Sequence, residues 1–236
     1  MNSDERLIRL NKYMAINNIS SRREADNLIK DGAVLVNGEI ERNPGRKIDP
    51  ENEKVSYAFD VSELESQRTY IALNKPTGYV VSTNEEEGKP VYDLVKHEKG
   101  LAPIGRLDKD SSGLLLFTND SSLPKKIIGE ESHCEKEYYV KVVGQIPDGA
   151  LEKLRTGISL WGVKTKSAAV KRRGPNSFLI TLVEGKNRQI RRMCQKVGYP
   201  VVQLKRIRIH TINLDDIKLG EWRDLTKEEI QSLKSL

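Results

Sequence analysis

Apolar residues recur along this chain with two periods, and each period predicts one kind of element. Leu10, Tyr13, Met14 and Ile16 recur at helical spacing, and so do Ala25, Leu28 and Ile29. Ser21 stands three residues before Glu24, the capping-box spacing, so the second helix is expected to start there and to end at Gly32. Val34, Leu35 and Val36 then read as a strand, Asn37-Gly38 as a hairpin turn, and residues 54–57 as a returning strand. Residues 60–68 are polar without strong periodicity. From Tyr70 the pattern changes to short apolar runs separated by turns. Strands are expected at 70–73, 79–82, 101–104, 114–117, 135–142, 163–170, 178–183 and 201–212. Helices are expected at 91–95, at 121–128 with Leu123, Ile127 and Ile128 inward, and at 148–155 capped by Asp148. Two more are expected at 187–197 and behind the Thr226/Glu229 capping box. Strands outnumber helices and alternate with them irregularly, which predicts an α+β fold with a mostly antiparallel mixed sheet. The expected division is a small module at 1–60, a linker at 61–68 and a larger domain at 69–236.

Composition changes this picture in one respect. Over 236 residues the formal net charge is +6, and the excess is unevenly placed. Residues 1–60 carry 10 Lys/Arg and 11 Asp/Glu, whereas residues 185–210 carry eight basic residues and no acidic one. Residues 161–174 carry five basic and none acidic. Acid-free basic blocks point to a polyanionic partner, of which nucleic acid is the usual one. No apolar run nears the ~20 residues that span a bilayer, and the first residues lack a secretion-type apolar core. No membrane partner and a cytoplasmic location are the resulting expectations, with a monomer as the default. The two cysteines, Cys134 and Cys194, are too few for a disulfide framework, and His97, His133 and His210 are scattered, so no metal site is expected.

The most informative stretch is Gly105-Arg106-Leu107-Asp108-Lys109-Asp110-Ser111-Ser112-Gly113. It lies between two apolar runs that read as buried strands, so its charged centre is expected to be a tight loop. A carboxylate there is held by the core yet open to a ligand. The same residues also make a good turn and nothing more, because Asp and Ser cap turns and Gly tolerates positive φ. Arg22 and Arg23 lie in the first turn of a helix, where the macrodipole disfavours cations. That placement fits an external phosphate better than self-stabilisation.

Several motifs resemble known families. Gly105 to Leu115 is similar to the signature Gly-Arg-Leu-Asp-x-x-(Ser/Thr)-x-Gly-Leu-Leu of the RsuA/RluB/RluE/RluF family of pseudouridine synthases. Asn74-Lys75-Pro76-Thr77-Gly78, Lys136-Glu137-Tyr138, the run from Gly185 to Met193 and Leu219-Gly220-Glu221-Trp222-Arg223-Asp224-Leu225 also resemble segments of that family, in the same order. The likeness is nearest to the RluF-like branch, which modifies large-subunit (23S) ribosomal RNA. Arg9-Leu10-Asn11-Lys12-Tyr13, Ser21-Arg22-Arg23-Glu24-Ala25-Asp26 and Val34-Leu35-Val36-Asn37-Gly38 resemble the RNA-binding domain named for ribosomal protein S4, a match of roughly 50 residues.

The resemblance implies an S4-type domain followed by a pseudouridine synthase catalytic domain. It implies that Asp108 is the catalytic carboxylate, that Tyr138 stacks on the target base, and that Lys186 pairs with Asp108. Tyr139 competes with Tyr138 for the stacking role. RNA contacts are implied for Lys12, Arg22 and Arg23, with phosphates held by Arg188, Arg191 and Arg192 beside Gln189. Arg106 would contact the flanking backbone or fill the vacated stack. The isomerisation breaks N1–C1′ and joins C5 to C1′ without net redox change, so no cofactor is expected. The implied partner is ribosomal RNA, 23S or a ribosomal precursor; a small-subunit or transfer RNA is the alternative. Two rivals of other classes remain: a non-catalytic RNA-binding assembly factor, and a metal-dependent nuclease using Asp108, Asp110 and Asp120.

Overall fold

The computed structural model describes residues 6–17, 19–96, 100–129, 131–215 and 217–236, and His97 lies outside them. The chain forms two compact units. One comprises the residues up to Thr69 together with Asn119–Ser122, the other Tyr70–Thr118 and Leu123–Leu236.

The first unit begins with β1 (Ile8–Arg9), α1 (Leu10–Ile16) and α2 (Arg22–Lys30). The Ser21 hydroxyl accepts from the Glu24 N–H and the Glu24 carboxylate accepts from the Ser21 N–H, so the predicted capping box is formed. β2 (Val34–Val36), β3 (Glu39–Glu41), β4 (Lys47–Ile48), β5 (Val55–Tyr57) and α3 (Val61–Ser66) follow. β2 lies between β3 and β5 in an antiparallel sheet, and β1 pairs with β4. Asn37 and Gly38 both take positive φ (54° and 86°), the two-residue turn their types favour. Leu10, Met14, Ala25, Ile29, Val34 and Ile48 are fully buried and make one small core. Lys12, Arg22 and Arg23 are exposed on the helix pair and meet no carboxylate among the described residues. Residues 67–69 are tied to 119–120. The Thr69 N–H donates to Asn119, the Asn119 amide donates to the Gln67 carbonyl, and Arg68 pairs with Asp120 at 3.6 Å.

The second unit is built on one nine-stranded sheet. Its elements run β6 (Tyr70–Lys75), β7 (Tyr79–Val80), β8 (Lys89–Pro90), β9 (Ala102–Pro103), β10 (Ser112–Thr118), α4 (Leu123–Ile128), β11 (Lys136–Val142) and α5 (Asp148–Thr156). They continue with β12 (Ser159–Leu160), β13 (Val163–Lys164), β14 (Ala169–Gly174), β15 (Ser177–Leu182), α6 (Gln189–Lys196), β16 (Val201–Ile209), β17 (Ile212–Asn213), β18 (Trp222–Asp224) and α7 (Lys227–Lys234). The sheet order is β14-β15-β11-β16-β10-β6-β18, with β17 on β16 and β9 on β10. Every pairing in it is antiparallel except β10 with β16, which matches the predicted α+β class. β6 and β10 are buried along their whole length, which explains their continuous apolar runs.

Three local expectations are corrected. The strand expected at 79–82 is shorter, Tyr79–Val80, and pairs in parallel with Lys89–Pro90. Asp148 does not cap α5: Pro147 holds that position, and the Asp148 carboxylate accepts from Arg172 at 2.7 Å. Ile128 points outward, 52% exposed, at the end of α4, while Leu123 and Ile127 are buried. The Thr226/Glu229 capping box opens α7 as predicted. No helix among the described residues is long and apolar enough to cross a membrane.

Candidate active site

Residues 105–111 form the loop between β9 and β10, which pair at Phe117↔Pro103 and Thr118↔Ala102. Leu107 is buried in the core beside Leu73 and Leu115, and it anchors the loop from within. The next side chain, Asp108, emerges at the surface and stays 30% exposed.

Lys75, at the end of β6, is fully buried, and its ammonium sits directly beneath this loop. It donates to the carbonyls of Pro76 (3.0 Å), Asp108 (3.1 Å) and Ser111 (2.8 Å). Two backbone bonds, Gly78 N–H to Lys109 O and Ser111 N–H to Asp108 O, complete the brace. Burial pushes the Lys75 pKa down to about 8, against the pull of Asp108 and Asp110 toward the charged form. Lys75 lies in a segment that resembles the family, yet neither its type nor its spacing in the sequence marks it as part of the site. Its place at the end of an apolar strand signals only that a cation there needs partners.

β16 brings a second buried cation. Gly113 of β10 lies opposite Arg206, and a Cβ on Gly113 would stand 2.1 Å from the Arg206 carbonyl oxygen. Only glycine, here at φ 105°, allows this approach. The Arg206 Nε donates to the Leu114 carbonyl at 2.7 Å, and its side chain lines the cleft above Asp108. One Arg206 terminal nitrogen is buried without a hydrogen-bond partner among the described residues.

The basic run clamps the loop from outside. Arg188, in the left-handed region at φ 49°, precedes α6 and turns its guanidinium back. It meets Asp110 through two bonds of 3.1 Å each and stands 3.4 Å from Asp108. Arg191, one turn into α6, donates to the Asp110 carbonyl and the Ser111 hydroxyl, and its Nε stands 3.9 Å from Asp108. Burial alone would raise the Asp110 pKa, but the Arg188 hydrogen bond and the two guanidinium charges outweigh it and hold it below the usual range.

This arrangement corrects the expected Lys186–Asp108 pair. Lys186 instead faces Glu184 at 3.7 Å, and Arg188 occupies the place beside Asp108. The left-handed turn at Arg188 is the cause, because it swings position 188 rather than 186 over the loop. Gln189 is buried; it donates to Glu184 at 2.6 Å and accepts from the Lys186 N–H, so it shapes the turn from inside.

A cleft of about 590 Å³ opens over this loop. Its walls include Arg106, Leu107, Asp108, Tyr138, Lys186, Arg188, Gln189 and Arg206. Clefts of that size admit one nucleoside-sized ligand. Tyr138 reaches it from β11, whose register shifts between Glu137 and Tyr138. Half-buried, it packs against the cores on both sides. Tyr139 is not part of the wall, as strand alternation turns it to the opposite face. Lys136 lines the cleft too; burial lowers its pKa, and its ammonium donates to the Ile127 carbonyl.

The structure thus gathers Arg106, Asp108, Tyr138, Lys186, Arg188 and Gln189 around one cleft. Arg191 braces its loop, Arg192 turns aside onto Trp161, and Lys12, Arg22 and Arg23 belong to the first unit. Asp108, Asp110 and Asp120 form no common ligand cluster among the described residues: the first two face arginines, and Asp120 pairs with Arg68.

Comparison with known proteins places the chain in a family. The RNA pseudouridylate synthase family matches residues 69–196, and the S4 domain family matches residues 8–54. The dual-specificity RNA pseudouridine synthase RluF of Escherichia coli K12 is 43% identical over 97% of this chain and 79% of its own length. The ribosomal large subunit pseudouridine synthase B of Bacillus subtilis is 36% identical over 97% of this chain and 96% of its own. The ribosomal small subunit pseudouridine synthase A of Escherichia coli K12 is 37% identical over 96% and 100%. A crystal structure described as pseudouridylate synthase superposes with a TM-score of 0.71 at 31% identity, covering 96% of this chain and 99% of that one. With a fixed acidic loop in an open cleft, and with both family matches in register along the chain, this protein belongs to the RNA pseudouridylate synthase family and carries an S4 domain in its N-terminal part.

Proposed function

We propose that this enzyme converts a uridine of ribosomal RNA, in the large subunit, to pseudouridine, with Asp108 as the reacting carboxylate. The observation that carries the reading is the state of Asp108: its backbone is pinned by Lys75 while its side chain stands in a cleft shared with Tyr138. A uridine must leave its stack to enter, at a cost of a few kcal/mol. Stacking on Tyr138 would recover about 1–3 kcal/mol. Asp108 then stands at the ribose, where it attacks C1′ or takes a sugar proton. N1–C1′ breaks, the base turns, C5 bonds to C1′, and the C5 proton is given up as N1 gains one. Atoms and electrons balance without a further reactant.

Arg188, rather than Lys186, is the cation that stands beside Asp108, at 3.4 Å. Arg106 and Lys186, on the cleft wall, are assigned to phosphates of the flanking strand, and Lys12, Arg22 and Arg23 to a helical part of the RNA. Arg188 directly before Gln189 resembles the large-subunit branch, and that residue supports this substrate over the small-subunit alternative.

Asp108→Asn tests the chemistry. Pseudouridine formation should vanish while the RNA dissociation constant stays within about twofold; residual product would remove Asp108 from the reaction. Mapping pseudouridines across both ribosomal RNAs and transfer RNAs, with and without the protein, tests the substrate. A protein-dependent site outside the large subunit would overturn that part.

A further inference from the structure

Outside the cleft, one side chain stands where the fold has no use for it. Trp161 and Gly162 are the two central residues of the β12–β13 hairpin turn, with Leu160 and Val163 paired on either side. Both take positive φ, 53° and 79°. Asn-Gly suits such a turn, whereas a bulky residue there is an outlier that costs backbone energy. Trp161 is also 55% exposed, so burial offsets little of that cost.

The surroundings of the ring point to a ligand. The Arg192 guanidinium lies 4.6 Å from the ring centroid, a cation–π contact that holds the indole in place. Beside it is a hollow of about 470 Å³, lined by Ser159, Leu160, Trp161, Arg192, Gln195 and Lys196, with no carboxylate in the lining. Lys164 and Lys166, both exposed, follow in the acid-free block of residues 161–174. The hollow also connects chemically with the cleft. Arg192 donates to the Asn187 side chain at 3.0 Å, and Asn187 is part of the cleft wall. Successive residues of α6 therefore serve both places, Arg191 bracing the Asp108 loop and Arg192 holding Trp161.

We propose that Trp161, with Arg192 and Lys196, forms a second RNA subsite that stacks an unpaired base of the strand adjoining the target uridine. The inference rests on the reading of the protein as an RNA-modifying enzyme. A rigid exposed aromatic face flanked by cations is the general means of holding single-stranded nucleic acid. The subsite would read strandedness next to the target and leave the reacting base to the cleft.

The test uses Trp161→Asn, since Asn tolerates the left-handed turn and cannot stack. Its thermal midpoint should equal or exceed that of the parent, and its dissociation constant for single-stranded oligoadenylate of roughly ten nucleotides should rise about tenfold. In a Trp222→Phe background, the same oligoadenylate should quench the Trp161 fluorescence, and a blunt-ended RNA duplex should not. Unchanged affinity in Trp161→Asn, or fluorescence blind to the oligoadenylate, would overturn the subsite. Oligoadenylate contains no uridine, so the outcome is independent of turnover. A protein that binds it through Trp161 but modifies no ribosomal RNA would sink the functional reading alone.

Discussion

Lys75 and Arg188 both touch the Asp108 loop, and the difference between them lies in solvent. The Lys75 ammonium is sealed beneath the loop with three carbonyls as partners. Removing it in Lys75→Met would leave those carbonyls short of donors, at a cost of about 3 kcal/mol by urea unfolding, with turnover falling alongside. The Arg188 pair with Asp110 is 41% and 50% exposed, so screening leaves it worth less than about 1 kcal/mol. Arg188→Ala should therefore slow turnover with little effect on stability, and an equal stability loss in both variants would contradict the assignment. Lys75 also carries a pH dependence. An ordinary lysine keeps its proton to above pH 10, while this one releases it near about 8. Between those values unfolding takes up a proton, so the contribution of this group to stability rises with pH through the window and is least favourable below it. The neutral amine, however, has two N–H donors for three carbonyls. Turnover should fall above pH 8, and the stability of the parent relative to Lys75→Met should rise through the same window, a difference in which Tyr57, Cys134 and Cys194, whose pKa values burial raises in both proteins, cancel.

Among the elements, the parallel pair of β10 and β16 sets the site, because it places Arg206 beside the loop. Its requirement is Gly113, where any Cβ would collide with the Arg206 carbonyl. Gly113→Ala must part the strands or strain the backbone, and a loss of at least about 2 kcal/mol is expected by denaturant titration. Thr226→Ala, which removes the cap of α7 and is no part of the cleft wall, should cost about 1 kcal/mol and leave turnover alone. The same element scale explains where periodicity misled. Ile128 continues the apolar pattern of α4, yet the helix ends there and the side chain lines the cleft. Asp148 looked like a cap by type, but Arg172 on a neighbouring strand claims its carboxylate and lowers its pKa by hydrogen bond and charge.

Across the whole molecule, charge is distributed rather than summed. The first 60 residues are near neutral, with 10 basic against 11 acidic side chains, while the acid-free blocks at 161–174 and 185–210 hold thirteen basic residues. Several of those cations are engaged inside the protein: Arg172 with Asp148, Arg188 and Arg191 with the Asp108 loop, Arg208 with Glu135 and Glu137. The number left for phosphates is smaller than the sequence count. The affinity for ribosomal RNA should fall with salt by about 0.7–0.9 log units per log unit for each contact. A slope matching all thirteen would show that the internal pairs open on binding. Arg22→Glu with Arg23→Glu should weaken RNA binding without lowering the thermal midpoint, since neither side chain meets a carboxylate among the described residues.

What the sequence determined by itself was local or repetitive. The capping boxes at Ser21 and Thr226, the Asn37-Gly38 turn and the buried strands flanking Asp108 are all readable, because the bonds that make them span a few residues or follow a period. The order of motifs pointed to the family for the same reason, as it is a property of the line. Only the tertiary structure decided which cation stands beside Asp108. Lys75, Arg188 and Arg191 reach that loop across separations of 33 to 81 residues, Arg206 reaches the strand after it across 92, and Lys186, the cation nearest to Arg188 in the chain, goes to Glu184 instead. A left-handed turn at one residue and a strand pairing permitted by one glycine settle those meetings, and neither leaves a period in the sequence to be read.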